Sequence, residues 1–285
     1  MSATICRPRF VPLVRCELRK LAGQRANWLL LALAVVMAAV AGLVLSTSSG
    51  LWHAEAAYRS SFQTNPSNWI HGLVAVSGLI IHIVEGALLL FAAARLVGTE
   101  YSGGTIRVVL ARGVGRVRLL AAKVAALTVF GLVVTAVFEV LAAAFGSVMV
   151  LNMHGNPVHV MSILPTSEWR DIGIHALTIL ISAGVCLLIG TAAAAVSRSL
   201  PFAMIAVVLF FPLDNVLAGH RDYNVYQLGP NLNVLNETLG HMRESLFVRP
   251  AQPVDATHSL LVIGVYCAAF LLAAFLPTWR RDVTE

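Results

Sequence analysis

Residues 97–123 read VGTEYSGGTIRVVLARGVGRVRLLAAK and lie between two long apolar runs. The stretch holds four arginines, one lysine and five glycines in 27 residues. The rest of the chain is short of charge: 12% of the 285 residues are charged and 58% are hydrophobic, with a mean hydropathy of +0.80. A soluble domain carries about 25% charged residues, and the core of a soluble protein of this length is too small to bury so much apolar surface. The remaining solvent is lipid. The loop is therefore a polar interruption in a membrane protein.

Working outward, apolar runs of membrane length, about 20 residues each, fall at roughly 27–46, 71–96, 123–151, 171–197, 200–219 and 258–279. Helices satisfy every backbone amide within one segment, and the alternation of a barrel strand is missing. The expectation is an all-α polytopic membrane protein with six transmembrane helices, forming one domain over residues 1–285. All five tryptophans (Trp28, Trp52, Trp69, Trp169, Trp279) fall at predicted span edges, where amphipathic rings prefer to sit.

The cations orient the chain. Of its 20 lysines and arginines, only Arg59, Arg170, Arg221, Arg243 and Arg249 fall on the far side of the predicted spans. The others cluster before the first span, in and beside the 97–122 loop, at Arg198 and after the last span. The positive-inside rule then places both termini in the cytoplasm of a plasma membrane, as an even span count also requires. This reading explains the net +6 without a nucleic-acid partner. Only two of the 20 cations, Lys20 and Lys123, are lysines. That bias, with abundant Ala and Val, fits a high-GC bacterial genome.

Residues 5–25 set Val14, Leu18 and Leu21 at helical spacing against Arg7, Arg15, Arg19 and Arg25, the pattern of an interfacial helix in the inner leaflet. At the other face, 220–257 is a long extracellular loop. Leu232, Leu235, Leu239 and Met242 repeat there with helical period, so short capping or re-entrant helices are expected between spans five and six. Pro212 and Asp214 in FFPLDN should kink or end the fifth helix. The histidines of the outer face (His53, His154, His159, His220, His241) fit no metal-ligand spacing.

In the opening stretch, TIRVVLA places Ile106, Val109 and Leu110 on one helical face. Gly103 and Gly104 precede it, and Gly113 and Gly115 follow it. Glycines at both ends let the chain turn sharply, giving a short cytoplasmic helix between two hinges. Glu100 either pairs with Arg107 or Arg112 or stands as a solvated surface charge. Within the spans, His82 and Glu85 share a face and Glu139 lies in VFEVL. Ionisable groups in a bilayer face a partner or a wet cavity, so these three either line a substrate path or bond to neighbouring helices.

The pattern Glu100-Tyr101-x-x-Gly104-Thr105-Ile106-Arg107, then Leu110-x-Arg112 and Arg116-x-x-Leu119-x-x-x-Lys123, resembles the loop between spans two and three of ABC exporter permeases of the type-2 family. Gly113 stands where that family usually has proline. The resemblance implies that TIRVVLA is a coupling helix docking on a separate ABC ATP-binding subunit, with Glu100, Tyr101, Gly104, Thr105, Ile106, Arg107, Leu110 and Arg112 forming the coupling site. It also implies pairing with a second permease, as a homodimer or with a paralogous permease. ATP and Mg would be used by the partner subunit, with no cofactor on this chain. No Gly-x-x-x-x-Gly-Lys-Ser/Thr loop occurs, since neither lysine follows a glycine, and such a loop is what cradles ATP phosphates. The competing reading is a proton-coupled secondary carrier working through Glu85, His82 and Glu139.

Overall fold

In the computed structural model the described residues are 10–29, parts of 31–40, 85–111, 114–152, 166–218, 224–240 and 254–280. Eight helices are named here: α1 (Phe10–Gly23), α2 (Gly86–Ser102), α3 (Thr105–Ala111), α4 (Arg116–Asn152), α5 (Thr166–Ser197), α6 (Leu200–Ala218), α7 (Leu228–Gly240) and α8 (Ala256–Arg280). A 3-10 turn, Asn224–Tyr226, precedes α7. No strand occurs among the described residues.

Three helical stretches among the described residues are long and apolar enough to cross a membrane: Arg116–Leu141, Ile172–Ser197 and Ala256–Trp279. A shorter apolar helix covers Leu200–Asp214. The predicted first span and the start of the second lie mostly outside the described residues. α4 has 37 residues, about 55 Å at 1.5 Å per residue, so it outruns a hydrocarbon core of about 30 Å.

The core is built around α2 and α5. A Cβ at Gly190 of α5 would lie 2.5 Å from the Leu90 carbonyl oxygen and 2.9 Å from the Ala93 Cβ. Only glycine admits the α2 backbone this closely. With Ala93, Ala94 and Ala194 fully buried nearby in the same core, the seam follows the small-residue logic of membrane helix packing. α6, α7 and α8 also pack on α5, and α1 packs on α4.

Polar bonds close the helix ends. The last carbonyls of α1 are taken by the Asn27 Nδ2 (to Leu21 O, 3.0 Å) and by the Trp28 Nε1 (to Ala22 O, 2.7 Å), which relieves acceptors that have no partner inside the helix. The Leu200 amide donates to the Ser102 Oγ at 3.1 Å, tying the start of α6 to the end of α2. These contacts define one end of the bundle, where α3 sits. The α6–α7 contacts define the opposite end.

Two expectations change. Helix α2 runs on through Ser102, so residues 97–102 are helical and not loop, and the turn begins only at Gly103. Gly104 makes that turn, with φ +65, a region that costs any residue with a Cβ. Of the kink or end expected at Pro212, the end does not occur: α6 continues to Ala218 with Pro212 inside it. A proline removes one backbone donor and leaves the later turns intact when neighbours satisfy the rest. Asp214, two residues further on, bonds across to α7 instead.

Candidate functional site: a charged hub and a cleft beneath α3

Four charged side chains from three helices meet at the α3 end. Glu17 and Lys20 come from α1, Glu100 from α2 and Lys123 from α4. Lys123 Nζ lies 2.7 Å from Glu17 Oε2 and 2.9 Å from Glu100 Oε1, and it also donates to the Leu96 carbonyl at 3.4 Å. Lys20 Nζ lies 2.6 Å from Glu17 Oε1 and 2.7 Å from Glu100 Oε1. The Lys123 and Glu17 side chains are each only 3% exposed.

The chemistry of lysine explains its use here. An ammonium is a compact point charge with three donors, and Lys123 directs all three at acceptors on two other helices. A planar arginine fork matches one carboxylate well but cannot converge on three separate oxygens in the same way. The chain's two lysines are both in this hub. The four charges cancel, which is what permits burial.

The electrostatics follow from the geometry. Burial alone would raise the Glu100 carboxyl, but Lys123 and Lys20 outweigh it and hold the group below the ordinary carboxylate value. Burial likewise works against the Lys20 ammonium. Its bonds to Glu100 and Glu17 prevail and push it above the ordinary lysine value.

Beside the hub an open cleft of about 320 Å³ separates α3 from the bundle. Glu100, Tyr101, Gly104, Ile106 and Leu110 line it, opposite Arg116, Leu119, Lys123, Arg198 and Thr278. Five of the residues read from the sequence as a coupling site are thus brought to one cleft. Thr105 is exposed at the start of α3, and its hydroxyl lies 3.5 Å from the Glu100 carbonyl oxygen. Arg107 belongs to α3, but its side chain, and Arg112 altogether, lie outside the described residues. Val108 on the same helix is 56% exposed.

The expected partner of Glu100 needs correcting. The carboxylate is not a solvated surface group: it is 8% exposed and held by Lys20 and Lys123, whereas the Arg107 and Arg112 side chains expected beside it lie outside the described residues. Sequence reasoning missed Glu17 and the pairing of the two lysines. A signal was available: a chain that otherwise uses arginine keeps lysine at two positions.

Deeper in the bundle Glu85 is 1% exposed and accepts a hydrogen bond from the Thr135 hydroxyl of α4. Glu139 is half-buried one turn beyond Thr135 on the same face of α4, the spacing that makes helical neighbours. The Glu85 contact joins two helices. His82 lies outside the described residues.

Apolar helices of membrane length, fastened at one end by buried charge and carrying a short helix beyond that fastening, define a polytopic helical membrane protein. A family model described as ABC-2 family transporter protein matches residues 13–213, and the chain belongs to that family. It is therefore a permease of the ABC transporter class, a membership that gives the secondary-carrier reading no support. No curated protein matches the chain.

Proposed function

We propose that the chain is the membrane-spanning permease subunit of an ATP-driven exporter, working with a separate ATP-binding subunit that docks on α3. In this reading six helices span a bacterial plasma membrane and both termini are cytoplasmic. A second permease, identical or paralogous, completes the substrate path, and Mg-ATP is bound by the partner subunit alone. Helix α7 caps the outer exit, re-entering the bundle from outside.

The observation that supports this best is mechanical. Helix α3 is joined to α2 through Gly103 and the positive-φ Gly104, and it stands off the bundle across an open cleft. It presents the exposed Val108 outward. A force applied there reaches α1, α2 and α4 together, because Glu17, Glu100 and the two lysines bind those three helices into one body. Since conformational work can shift an equilibrium only through differential contacts in the two states, a stiff receiver coupled to a hinged knob suits transmission from another polypeptide.

The test is co-expression with the ATP-binding protein encoded beside this chain, followed by affinity capture and ATPase assay in proteoliposomes. Capture by the intact permease, lost on deleting residues 103–115, supports the reading. Uphill transport by the purified permease alone, in vesicles without any ATPase, overturns it.

A further inference from the structure

Helices α6 and α7 each begin under a cap supplied by another helix. The first amides of a helix lack partners within it, and a side chain close in sequence commonly takes one of them. In α6 the first amide, that of Leu200, donates to the Ser102 Oγ at the end of α2, 98 positions away, at 3.1 Å. In α7 the Gly229 amide donates to the Asp214 Oδ2 of α6, 15 positions away, at 2.8 Å. The two caps stand in series. The end of α2 holds the start of α6, and α6 holds the start of α7.

Packing reinforces both joints. A Cβ at Gly98 of α2 would lie 3.1 Å from the Leu200 Cα and 3.3 Å from its Cδ1, so the two backbones meet one turn behind the first cap. At the second joint Asp214 and Leu228 are both buried. Between the joints α6 rises about 21 Å from Leu200 to Asp214, at 1.5 Å per residue, and it passes Pro212 without ending. Its buried stripe there is narrow: Ala203 and Val207 are buried, whereas Phe202, Ile205, Val208 and Leu209 are exposed.

From these observations we infer that α6 is a connecting rod between the hinge of α3 and the start of α7, with Ser102 and Asp214 as the positioning residues at its two ends. Ser102 is the last residue of α2, directly before the Gly103–Gly104 turn from which α3 hangs. A displacement of α3 that tilts the end of α2 therefore draws on Leu200, and the stiff helix passes it to Gly229, as rigid elements joined by hydrogen bonds transmit coupling. The charged hub shares a push on α3 among α1, α2 and α4. Helix α6 is a separate route, and it ends at the opposite end of the bundle. The use of this route in transport rests on the reading of α3 as the docking element and α7 as the exit cap, whereas the mechanical link does not.

The experiment needs no ATP-binding subunit, so its failure is distinct from a failure of that reading. Hydrogen exchange is followed by mass spectrometry in peptides covering 224–240 of the full purified chain, with α1 as the reference for general loosening. Ser102→Ala removes the first cap and should quicken exchange in the first turn of α7 about twofold or more, the low end of coupling between linked sites, with α1 unchanged. Ser102→Thr keeps the hydroxyl and should match the parent. The deciding variant is the double one. With Asp214→Ala already present, adding Ser102→Ala should change α7 no further, because the rod has lost its far attachment. An α7 that ignores Ser102→Ala, or that responds to it equally with and without Asp214, overturns the inference. So does a response of α1 as large as that of α7.

Discussion

The two ends of the bundle solve one problem by different means. At the α3 end, three helices are fastened by full charges: two carboxylates and two ammonium groups, mostly buried and mutually neutralised. At the α7 end the fastening uses backbone groups. Asp214 of α6 accepts from the Gly229 amide at 2.8 Å, in the first turn of α7, where amide donors lack helical partners and the helix dipole favours negative charge. Asn231 donates to the Val225 and Gln227 carbonyls at 2.8 and 2.7 Å, and the His258 Nε2 shares Val225 O at 2.9 Å. Detaching α7 exposes amides and carbonyls that water can serve. Pulling α1 from α4 strands ions. The first end is built to move as one block, and the second can part at lower cost.

The strongest way to break this contrast is Lys123→Met. It leaves Glu17 and Glu100 buried with only Lys20 between them. Breaking one partner of a buried ion network costs about 3–5 kcal/mol, read as a fall in thermal stability of the purified protein. The double variant Glu17→Gln with Lys123→Met should be less destabilised than the two single effects added together. Strict additivity would mean that the hub is not a coupled unit.

The pH dependence sharpens the same point. Because the Glu100 carboxyl is held low in the folded protein, its stabilising contribution is complete above the ordinary carboxylate value. It disappears as pH falls through the folded value. Lys20 runs the other way: its ammonium is raised, so its contribution is complete below the ordinary lysine value and is lost as pH rises through the folded one. A plateau of stability across neutral pH is expected. Melting curves of Glu100→Gln should show a flatter decline on the acid side than the parent.

At the α7 end, Asp214→Ala removes the acceptor for the first turn of that helix. A lost cap costs about 1 kcal/mol, and up to about 2. Hydrogen exchange should quicken in α7 and stay unchanged in α1. Asp214→Asn keeps an acceptor and should fall between the two. The smallest effect on stability, within about 0.5 kcal/mol, belongs to Val108→Asp. This exposed change should leave melting untouched while abolishing capture of the ATP-binding subunit.

Some elements were legible because their determinants are local. The TIRVVLA helix was bounded by its glycines, and α3 covers Thr105–Ala111. The period of Leu232 and Leu235 announced α7, where both are buried. Pro212 does not end its helix, because the local rule concerns one missing donor and α6 passes it.

What the sequence by itself determined is whatever short-range pattern and composition can encode: helices, apolar length, the hinge glycines and a family motif. Only the tertiary structure decided the partner of each buried charge. Lys20 lies 80 positions from Glu100, and Lys123 lies 106 positions from Glu17. Sequence distance points a carboxylate toward its nearest cations, whereas a desolvated charge takes whichever opposite charge the packing of the helices delivers to it.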